Sequence, residues 1–309
     1  MMELKQKVII LRYKIEMDLC GDYSELVQDW LKCHGIQSDK KGEDLWYDFF
    51  NIQRKSIKPQ KRAVHYSKEF TCPPEVELGL KLLVQKFENG DDVSLHLSKS
   101  AALPSEFDGL LYDWGIHHFH LGKAIDNQTG CIERTGPVLF AKIDKENVYC
   151  INIYNHGKNV QRPWSKQEML KIIHNNWPQT IAMWKLPDGI ELYPESILPP
   201  VDSQYASLRK SGISTPVFVD KGIAYFSPGG GYMSTGHSQE IVRYCQKIHN
   251  TLKRNELYIR DNVTILVIQI KEITGKPVGQ RLHFKLIKKD NVFYVVELQS
   301  KTALFKVEL

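Results

Sequence analysis

The sequence lacks a long run of apolar residues. A helix that crosses a membrane needs about 20 of them in succession, whereas the apolar run at residues 8–11 is followed at once by Arg12 and Lys14. That run is also too short for the apolar core of a secretory signal peptide. We therefore expect no membrane partner, no export and a cytoplasmic location.

Closely spaced cysteine pairs are lacking as well. Zinc sites that use cysteine usually take two ligands from one short segment, and small secreted domains carry cysteines at high density. Reduced thiols in a cytosol fit this chain better, because its cysteines are scattered singly. The six are Cys20, Cys33, Cys72, Cys131, Cys150 and Cys245.

Charge of one sign is only slightly in excess. The formal net charge of +5 agrees with a polyanionic partner and equally with ordinary solubility. Five basic residues nevertheless lie within residues 54–62, around Pro59. A solvated linker is the first interpretation of this basic segment, and a strip that contacts phosphates is the second.

The length of 309 residues exceeds the size at which one hydrophobic core usually keeps growing, so several packed units are expected. We predict an N-terminal helical unit at residues 1–70, an α+β core at 71–190 and a C-terminal α+β unit at 191–309. The predicted fold class is α+β. Its core would contain a small antiparallel sheet with packed helices, and its C-terminal unit would be rich in antiparallel hairpins.

Apolar runs bounded by turn residues predict the strands of this core. Three strands are predicted at residues 116–121, 138–143 and 148–153, and residues 144–147 suit a hairpin connection between the last two. Further strands are predicted at residues 180–185, 264–270, 282–287 and 292–298, and a hairpin at 216–226.

Capping residues and helical spacing predict the helices. One helix is predicted at residues 22–31, and residues 165–168 form a capping-box pattern before another at 169–174. A third follows a glycine-rich loop and covers residues 238–252. A fourth begins near Pro74, and its predicted apolar face consists of Leu78, Leu82, Leu83 and Phe87.

Three histidines lie within four positions, at His117, His118 and His120. Side chains alternate along a strand, so His118 and His120 would share one face at a separation of roughly 6.6 Å, and His117 would lie on the other. Imidazole titrates near neutral pH, so such a pair can divide general-base and general-acid roles or bind a metal. Burial as ordinary hydrogen-bonded packing residues is the alternative.

Further basic side chains follow downstream, at Arg134, Lys142, His156 and Lys158. The last two lie at the end of a predicted strand, where functional side chains are common. If the three strands form one antiparallel sheet, the histidine strand and the segment 155–158 can approach each other. The alternative is a polar loop that ends a strand.

The central third of the chain resembles the core of the RelE/HigB-like toxin ribonucleases. The resemblance runs from the helix after Pro74 through residues 108–111, the histidine strand, 137–143 and 148–158. It implies helices packed on a small twisted antiparallel sheet and metal-independent cleavage of RNA by Arg, Lys, His and Tyr side chains. By this resemblance, four residues fall near strand positions where the family carries basic residues, namely Arg134, Lys142, His156 and Lys158.

The leading hypothesis is therefore an RNA-acting cytoplasmic protein, with a metal-independent endoribonuclease of toxin or phage-defence type as its candidate activity. RNA would be the partner, an antitoxin or other protein a further one, and no cofactor is expected. A base would remove a ribose 2′-hydroxyl proton, cations would stabilise the phosphate, and an acid would protonate the 5′-oxygen. The candidate catalytic residues are His118, His120 and His156, and the candidate substrate-binding residues are Arg134, Lys142 and Lys158.

Two other hypotheses stay open. A metal-dependent hydrolase or nuclease would use His118, His120 and His156 as ligands, with a carboxylate such as Asp113 completing the set. A non-enzymatic interaction or regulatory module would instead bind a partner through its basic segment and C-terminal sheet.

A glycine-rich stretch at residues 227–238 precedes a predicted helix. Glycines expose backbone N–H groups and a helix N-terminus favours anions, so a phosphate could bind there. The stretch lacks the Gly-Lys-Ser/Thr ending of a P-loop. A flexible loop with Ser238 as an ordinary helix cap is the preferred interpretation.

Overall fold

The computed structural model describes residues 13–156, 163–187 and 199–309. Within these ranges, no helix is both long and apolar enough to span a membrane. The described helices are α1 (Leu19–Cys33), α2 (Asp44–Lys55), α3 (Glu77–Asn89), α4 (Gly109–Trp114), α5 (Glu168–Asn176), α6 (Asp202–Lys210), α7 (Gln239–Asp261) and α8 (Val263–Thr274). The described strands are β1 (Lys14–Glu16), β2 (Ala63–Tyr66), β3 (Ile116–His120), β4 (Pro137–Ile143), β5 (Asn147–Asn155), β6 (Val217–Asp220), β7 (Ile223–Tyr225), β8 (Arg281–Lys289), β9 (Val292–Glu297) and β10 (Thr302–Val307).

The predicted α+β class is confirmed. The described strands form two four-stranded sheets, in the orders β1-β8-β9-β10 and β2-β5-β4-β3, and the hairpin β6-β7. Most neighbours are antiparallel, but β1 pairs with β8 in parallel and β2 pairs with β5 in parallel. Both four-stranded sheets are therefore mixed. The three strands predicted for the core sheet, β3, β4 and β5, are antiparallel as expected, and the short strand β2 from a distant segment joins their edge in parallel.

The chain divides into two compact units. The terminal unit combines the two ends of the chain, up to Tyr47 and from Arg243 onward, and the central unit extends from Asp48 to Val242. The predicted division of the sequence into the segments 1–70, 71–190 and 191–309 stays a prediction.

The terminal unit is built on the sheet β1-β8-β9-β10, against which α1 and α8 pack. Alternate residues of β8, namely Leu282, Phe284 and Leu286, are buried, as expected for a strand with one covered face. The buried carboxylate of Glu297 accepts backbone N–H groups from the chain around it, including that of Ser300 at 2.7 Å. This unit thus has its own core.

The central unit buries both faces of the sheet β2-β5-β4-β3. In the β3–β4 register, His118 lies opposite Phe140 and His120 lies opposite Val138. Directly opposite residues of antiparallel strands share a face, so both histidines stand on the Phe140 side, where α4 and α5 contribute to the core. On the other face, Phe119 packs edge-to-face on Phe87 of α3.

Helix α3 packs closely against the sheet through a stripe that contains two of its four predicted residues, Leu83 and Phe87. Leu78 is 50% exposed and Leu82 is 37% exposed, so two members of the predicted face point to solvent. The buried stripe consists of Val76, Leu80, Leu83 and Phe87, at helical spacing. Gly79 permits the close packing, because a Cβ there would lie 1.8 Å from the carbonyl oxygen of Leu121.

Three local predictions were wrong. Residues 180–185 form no strand but lie in two 3₁₀ turns, Pro178–Thr180 and Ala182–Trp184. The apolar residues 264–270 belong to helix α8, where Leu266 and Ile270 are buried four positions apart. The capping box is not formed, because the residue before α5 is Gln167 and its side chain makes no capping hydrogen bond.

The basic segment at residues 54–62 is more than a solvated linker. The Lys55 ammonium is buried and donates to the carbonyl oxygens of Ser100 (2.9 Å), Leu103 (2.6 Å) and Glu106 (2.9 Å). The Arg62 guanidinium donates to the carbonyl of Asp144 at 3.0 Å. These two cations therefore hold neighbouring loops through backbone carbonyl groups that lie outside the strands and the α-helices.

Replacing Lys55 by Met should destabilise the central unit. Three backbone carbonyls lose a charged donor, so we expect the free energy of unfolding to fall by about 2 kcal/mol. Urea denaturation of the variant, with Lys61→Met as a control at an exposed lysine of the same segment, measures this. Equal denaturation midpoints for Lys55→Met and the control would show that the buried ammonium does not hold the loop.

Candidate functional site

One cleft of about 710 Å³ in the central unit is lined by His118, His120, His156 and Arg134. The structure thus brings together all three predicted catalytic histidines and one of the predicted cations. The other residues that line this histidine cleft are Ser98, Ser100, Phe107, Asp108, Gly109, Leu110, Trp164 and Arg209.

The convergence follows from the order of the strands. β4 lies between β3 and β5 and begins at Pro137, which pairs with Asn155, while His120 pairs with Val138. The end of β3 and the end of β5 therefore meet at the start of β4. His156 follows β5 directly, and its backbone N–H donates to the carbonyl of Gly136 at 2.7 Å.

Trp164 packs between the histidines. Its ring centroid lies 4.6 Å from that of His118 and 5.2 Å from that of His156, both edge-on. The His118 and His120 rings are 6.5 Å apart, and the His120 and His156 rings are 5.9 Å apart. Their spacing leaves room for a small group between them, with an aromatic wall on one side.

Burial keeps the imidazoles of His118 and His120 neutral at neutral pH. It lowers the pKa of His120 to about 4, and the nearby charges of His118 and Arg134 act in the same direction. Burial also lowers the pKa of His118, although the Asp108 carboxylate opposes this shift. A neutral imidazole can accept a proton, which is the property that a general base needs.

Two ring nitrogens in the cleft have unused hydrogen-bonding capacity. Among the residues that the structure describes, the buried Nδ1 atoms of His118 and His120 have no hydrogen-bond partner. Nearly all buried polar atoms in proteins are paired, so these two atoms are exceptions, and each belongs to a ring that lines the cleft. The backbone of His120 is fixed, because its carbonyl accepts from the Nδ1 of the buried His96 at 2.9 Å.

Asp108 is a site residue that the sequence analysis did not identify. It is the N-cap of α4, and its Oδ1 accepts the backbone N–H of Leu111 at 3.0 Å. Its Oδ2 lies 4.0 Å from the Nδ1 of His118. An aspartate before a short helix is a recognisable cap, but nothing in its sequence position indicates the histidine that it faces.

The remaining sequence candidates lie elsewhere. Lys142 pairs with Ile116 at the far end of β4, does not line the cleft, and has a pKa lowered to about 8 by burial. Burial lowers the pKa of His117 to about 3. As strand alternation requires, His117 points away from the face of His118 and His120. Lys158 lies outside the described residues.

Asp113 does not join the histidines. Its Oδ2 pairs with the Arg209 guanidinium at 3.0 Å and its Oδ1 accepts the Ser227 hydroxyl at 2.9 Å. Arg209 lies 4.5 Å from the Trp114 ring and donates to the carbonyl of Trp164. The Asp113–Arg209 pair therefore holds Trp164 at the wall of the cleft. The Asp113 carboxylate is already bound to Arg209 and Ser227.

The described residues offer a metal-like arrangement of ligands in a different place. The ligand atoms of Cys20, Glu43 and His249, all in the terminal unit, lie within 4.8 Å of one another. Within the described part of the chain, the cleft histidines form no such group with a carboxylate or thiol. The carboxylate proposed to complete a histidine metal site, Asp113, is bound to Arg209 instead.

The glycine-rich stretch is packed rather than open. The N–H groups of Gly229 and Gly231 donate to the carbonyls of Asp113 and Tyr112, both at 2.8 Å. A phosphate at this loop would find these two donors already used. Ser238 lies directly before α7, as expected of a helix cap, and its carbonyl accepts the N–H of Val242 at 3.1 Å, but in the described structure its buried hydroxyl has no hydrogen-bond partner.

No known protein family, curated protein or solved structure matches this chain. The site's own residues, distances and charges therefore carry the functional argument.

The buried histidines should make stability depend on pH. A pKa that is lower in the folded chain than its ordinary value of 6.5 means that unfolding takes up protons, so the free energy of unfolding should rise as pH increases from about 4 to 6.5. Each such histidine contributes up to about 1.4 kcal/mol per pH unit in this window. Denaturant titrations at several pH values measure the slope.

The variant His117→Gln isolates one contribution to this slope. It removes a group with a strongly lowered pKa without touching the cleft face, so its slope should be smaller than that of the unmodified chain. The exposed His65, replaced in the same way, serves as the control. An identical slope for His117→Gln would contradict burial of a neutral imidazole at this position.

Proposed function

We propose that this protein is a metal-independent endoribonuclease and that the histidine cleft is its active site. The observation that carries the proposal is the meeting of His118, His120 and His156 beside Arg134 in one open cleft.

The spacing of the rings suits a phosphodiester. Hydrogen bonds that two imidazole N–H groups donate to phosphate oxygens are about 2.8 Å long each, so the rings on either side of the phosphate must stand several ångströms apart. The observed centroid separations of 6.5 Å and 5.9 Å meet this requirement. Arg134, whose side chain is exposed at the cleft, supplies a positive charge for the phosphate oxygens.

The electrostatics divide the roles between the two histidines of β3. His120, whose pKa is about 4, is the base that takes the proton of the 2′-hydroxyl. His118 is the acid, because the Asp108 carboxylate 4.0 Å away stabilises its protonated form. A bound phosphate adds a second negative charge, which acts together with Asp108 against the lowering of the His118 pKa by burial.

The reaction is a transesterification within RNA. The 2′-oxygen forms a bond to phosphorus as His120 accepts its proton, the bond from phosphorus to the 5′-oxygen breaks, and His118 gives that oxygen a proton. The products are a 2′,3′-cyclic phosphate and a 5′-hydroxyl. RNA is the substrate because DNA lacks this internal nucleophile.

The biological setting proposed is a cytoplasmic toxin or phage-defence ribonuclease. Its support is the resemblance of the segment from α3 to residue 158 to the RelE/HigB-like toxins. An antitoxin or other protein that covers the histidine cleft is the protein partner that this setting implies.

Removing either histidine of β3 should abolish cleavage. We expect His118→Ala and His120→Ala to lower the rate by about 100-fold or more, because each removes a proton-transfer step. The assay uses a fluorophore-labelled single-stranded RNA, with His65→Ala as the matched control at an exposed histidine of β2. Retention of the full rate in both variants would refute the assignment.

A chelator and an altered substrate distinguish this activity from its alternatives. Cleavage should persist in EDTA, and it should stop when a 2′-deoxynucleotide stands at the cleavage site. Loss of activity in EDTA with recovery on adding zinc or manganese would favour the metal-dependent hydrolase instead.

The pH dependence should report the Asp108 contact. Catalysis requires neutral His120 and protonated His118, and the pKa of each is lowered by burial, so kcat/KM should be greatest below pH 6.5. Replacing Asp108 by Asn removes the charge that raises the pKa of His118, so the alkaline limb of the profile should move to lower pH. An unchanged limb would remove Asp108 from the site as a positioning residue.

A further inference from the structure

A second cavity, of about 580 Å³, adjoins the histidine cleft. The two cavities share Phe107, Gly109, Trp164 and Arg209 as common walls. A ligand that extends from one cavity into the other would pass along the Trp164 ring. This volume lies within the usual range of small-molecule sites, about 300–1,000 Å³.

The chemistry of this aromatic cavity differs from that of the cleft. It has no histidine in its lining. Its walls are the rings of Phe107, Trp164 and Tyr232, with three hydroxyl-bearing residues and two cations beside them, namely Ser165, Ser234, Thr235, Arg209 and Lys210. The Arg209 guanidinium at its wall is already paired with Asp113. Flat aromatic surfaces with a few polar groups suit a nucleobase better than a phosphate.

The aromatic walls are held in place before any ligand binds. Phe107 packs edge-to-face on His237 at 4.9 Å, although 43% of the residue stays exposed. The Tyr232 hydroxyl donates to the carbonyl of Ile213 at 3.1 Å. Gly236 has a φ of +86°, and a Cβ there would lie 2.9 Å from the Phe107 ring, so glycine makes room for this wall. A preformed site loses less entropy on binding.

We propose that the aromatic cavity binds the nucleobase next to the phosphate that is cleaved. The inference rests on the proposed function, because the histidine cleft fixes where that phosphate lies. A base can enter such a cavity only when it is unstacked and unpaired. The substrate class is therefore single-stranded RNA.

Binding of two small probes tests the cavity apart from catalysis. Adenosine 5′-monophosphate and ribose 5-phosphate share sugar and phosphate and differ in the base. We expect the nucleotide to bind about tenfold or more tightly, because stacking on aromatic side chains adds affinity for the base. Titrations followed by tryptophan fluorescence or NMR give both dissociation constants.

Phe107→Ala should remove most of this preference, because it should lower the affinity for the nucleotide far more than the affinity for ribose 5-phosphate. Phe226→Ala is the matched control, because Phe226 is a similarly exposed phenylalanine (39%) of the same unit that does not line the cavity. Equal binding of the two probes by the unmodified chain, or an unchanged preference in Phe107→Ala, would overturn the inference.

Cleavage assays separate this failure from failure of the proposed function. With the inference correct, the chain cleaves a single-stranded RNA at least tenfold faster than the same sequence in a duplex, and Phe107→Ala raises KM. If RNA is cleaved through His118 and His120 but the probes bind equally, the base site is wrong and the ribonuclease stands. If no RNA is cleaved, the proposed function falls, and with it the inference that rests on it.

Discussion

The register between β3 and β4 is the constraint on which the site depends. It sets His118 opposite Phe140 and His120 opposite Val138, so both imidazoles stand over the α4 and α5 side of the sheet. A slip by one residue would turn them toward the α3 core and bring His117 and Phe119 to the cleft. The apolar contact between Phe119 and Phe87 on the far face opposes such a slip.

The start of β4 is the second element of this arrangement. β4 lies between β3 and β5 and begins there, so the C-terminal ends of β3 and β5 lie at the same end of the sheet. His156, the residue after β5, therefore lies next to His120. The neutral imidazoles are a consequence of the same packing. Trp164 and Phe140 exclude water from the rings, and burial then lowers their pKa values.

The buried ion pair of Arg209 and Asp113 holds one wall of the cleft in place. Arg209 joins the Asp113 carboxylate at the end of α4 to the backbone of Trp164, and the packed glycine stretch covers the same aspartate through Ser227 and Gly229. A half-satisfied buried pair is strongly destabilising, so these partners have to stay together. The aromatic wall between the two cavities is thereby attached to the core of the central unit.

The sequence predicted the parts of the fold that depend on local pattern. β3, β4, β5 and the β6–β7 hairpin were found because apolar runs and turn residues bound them, and the shared face of His118 and His120 follows from strand alternation alone. The parallel partners β1 and β2 were missed, since each pairs with a strand far away in the chain. The branched residues of the apolar run in α8 favour a strand, and they predicted one, but the run forms a helix.

The site was predictable to a similar extent. Three histidines within four positions can be recognised in the sequence. Asp108 and Trp164 cannot be recognised in this way, because one is a helix cap and the other belongs to an irregular segment. Only tertiary packing places these two residues against the histidines. Lys142 was chosen for its charge, but the register carries it to the opposite end of β4. Distances between strands, rather than residue types, decided which candidates meet.

A crystal structure with a bound 2′-deoxy dinucleotide that resists cleavage tests the central claim most directly. The account expects its phosphate between the rings of His118 and His120, within reach of Arg134. A phosphate bound elsewhere, with both ring nitrogens still unpaired, would contradict it.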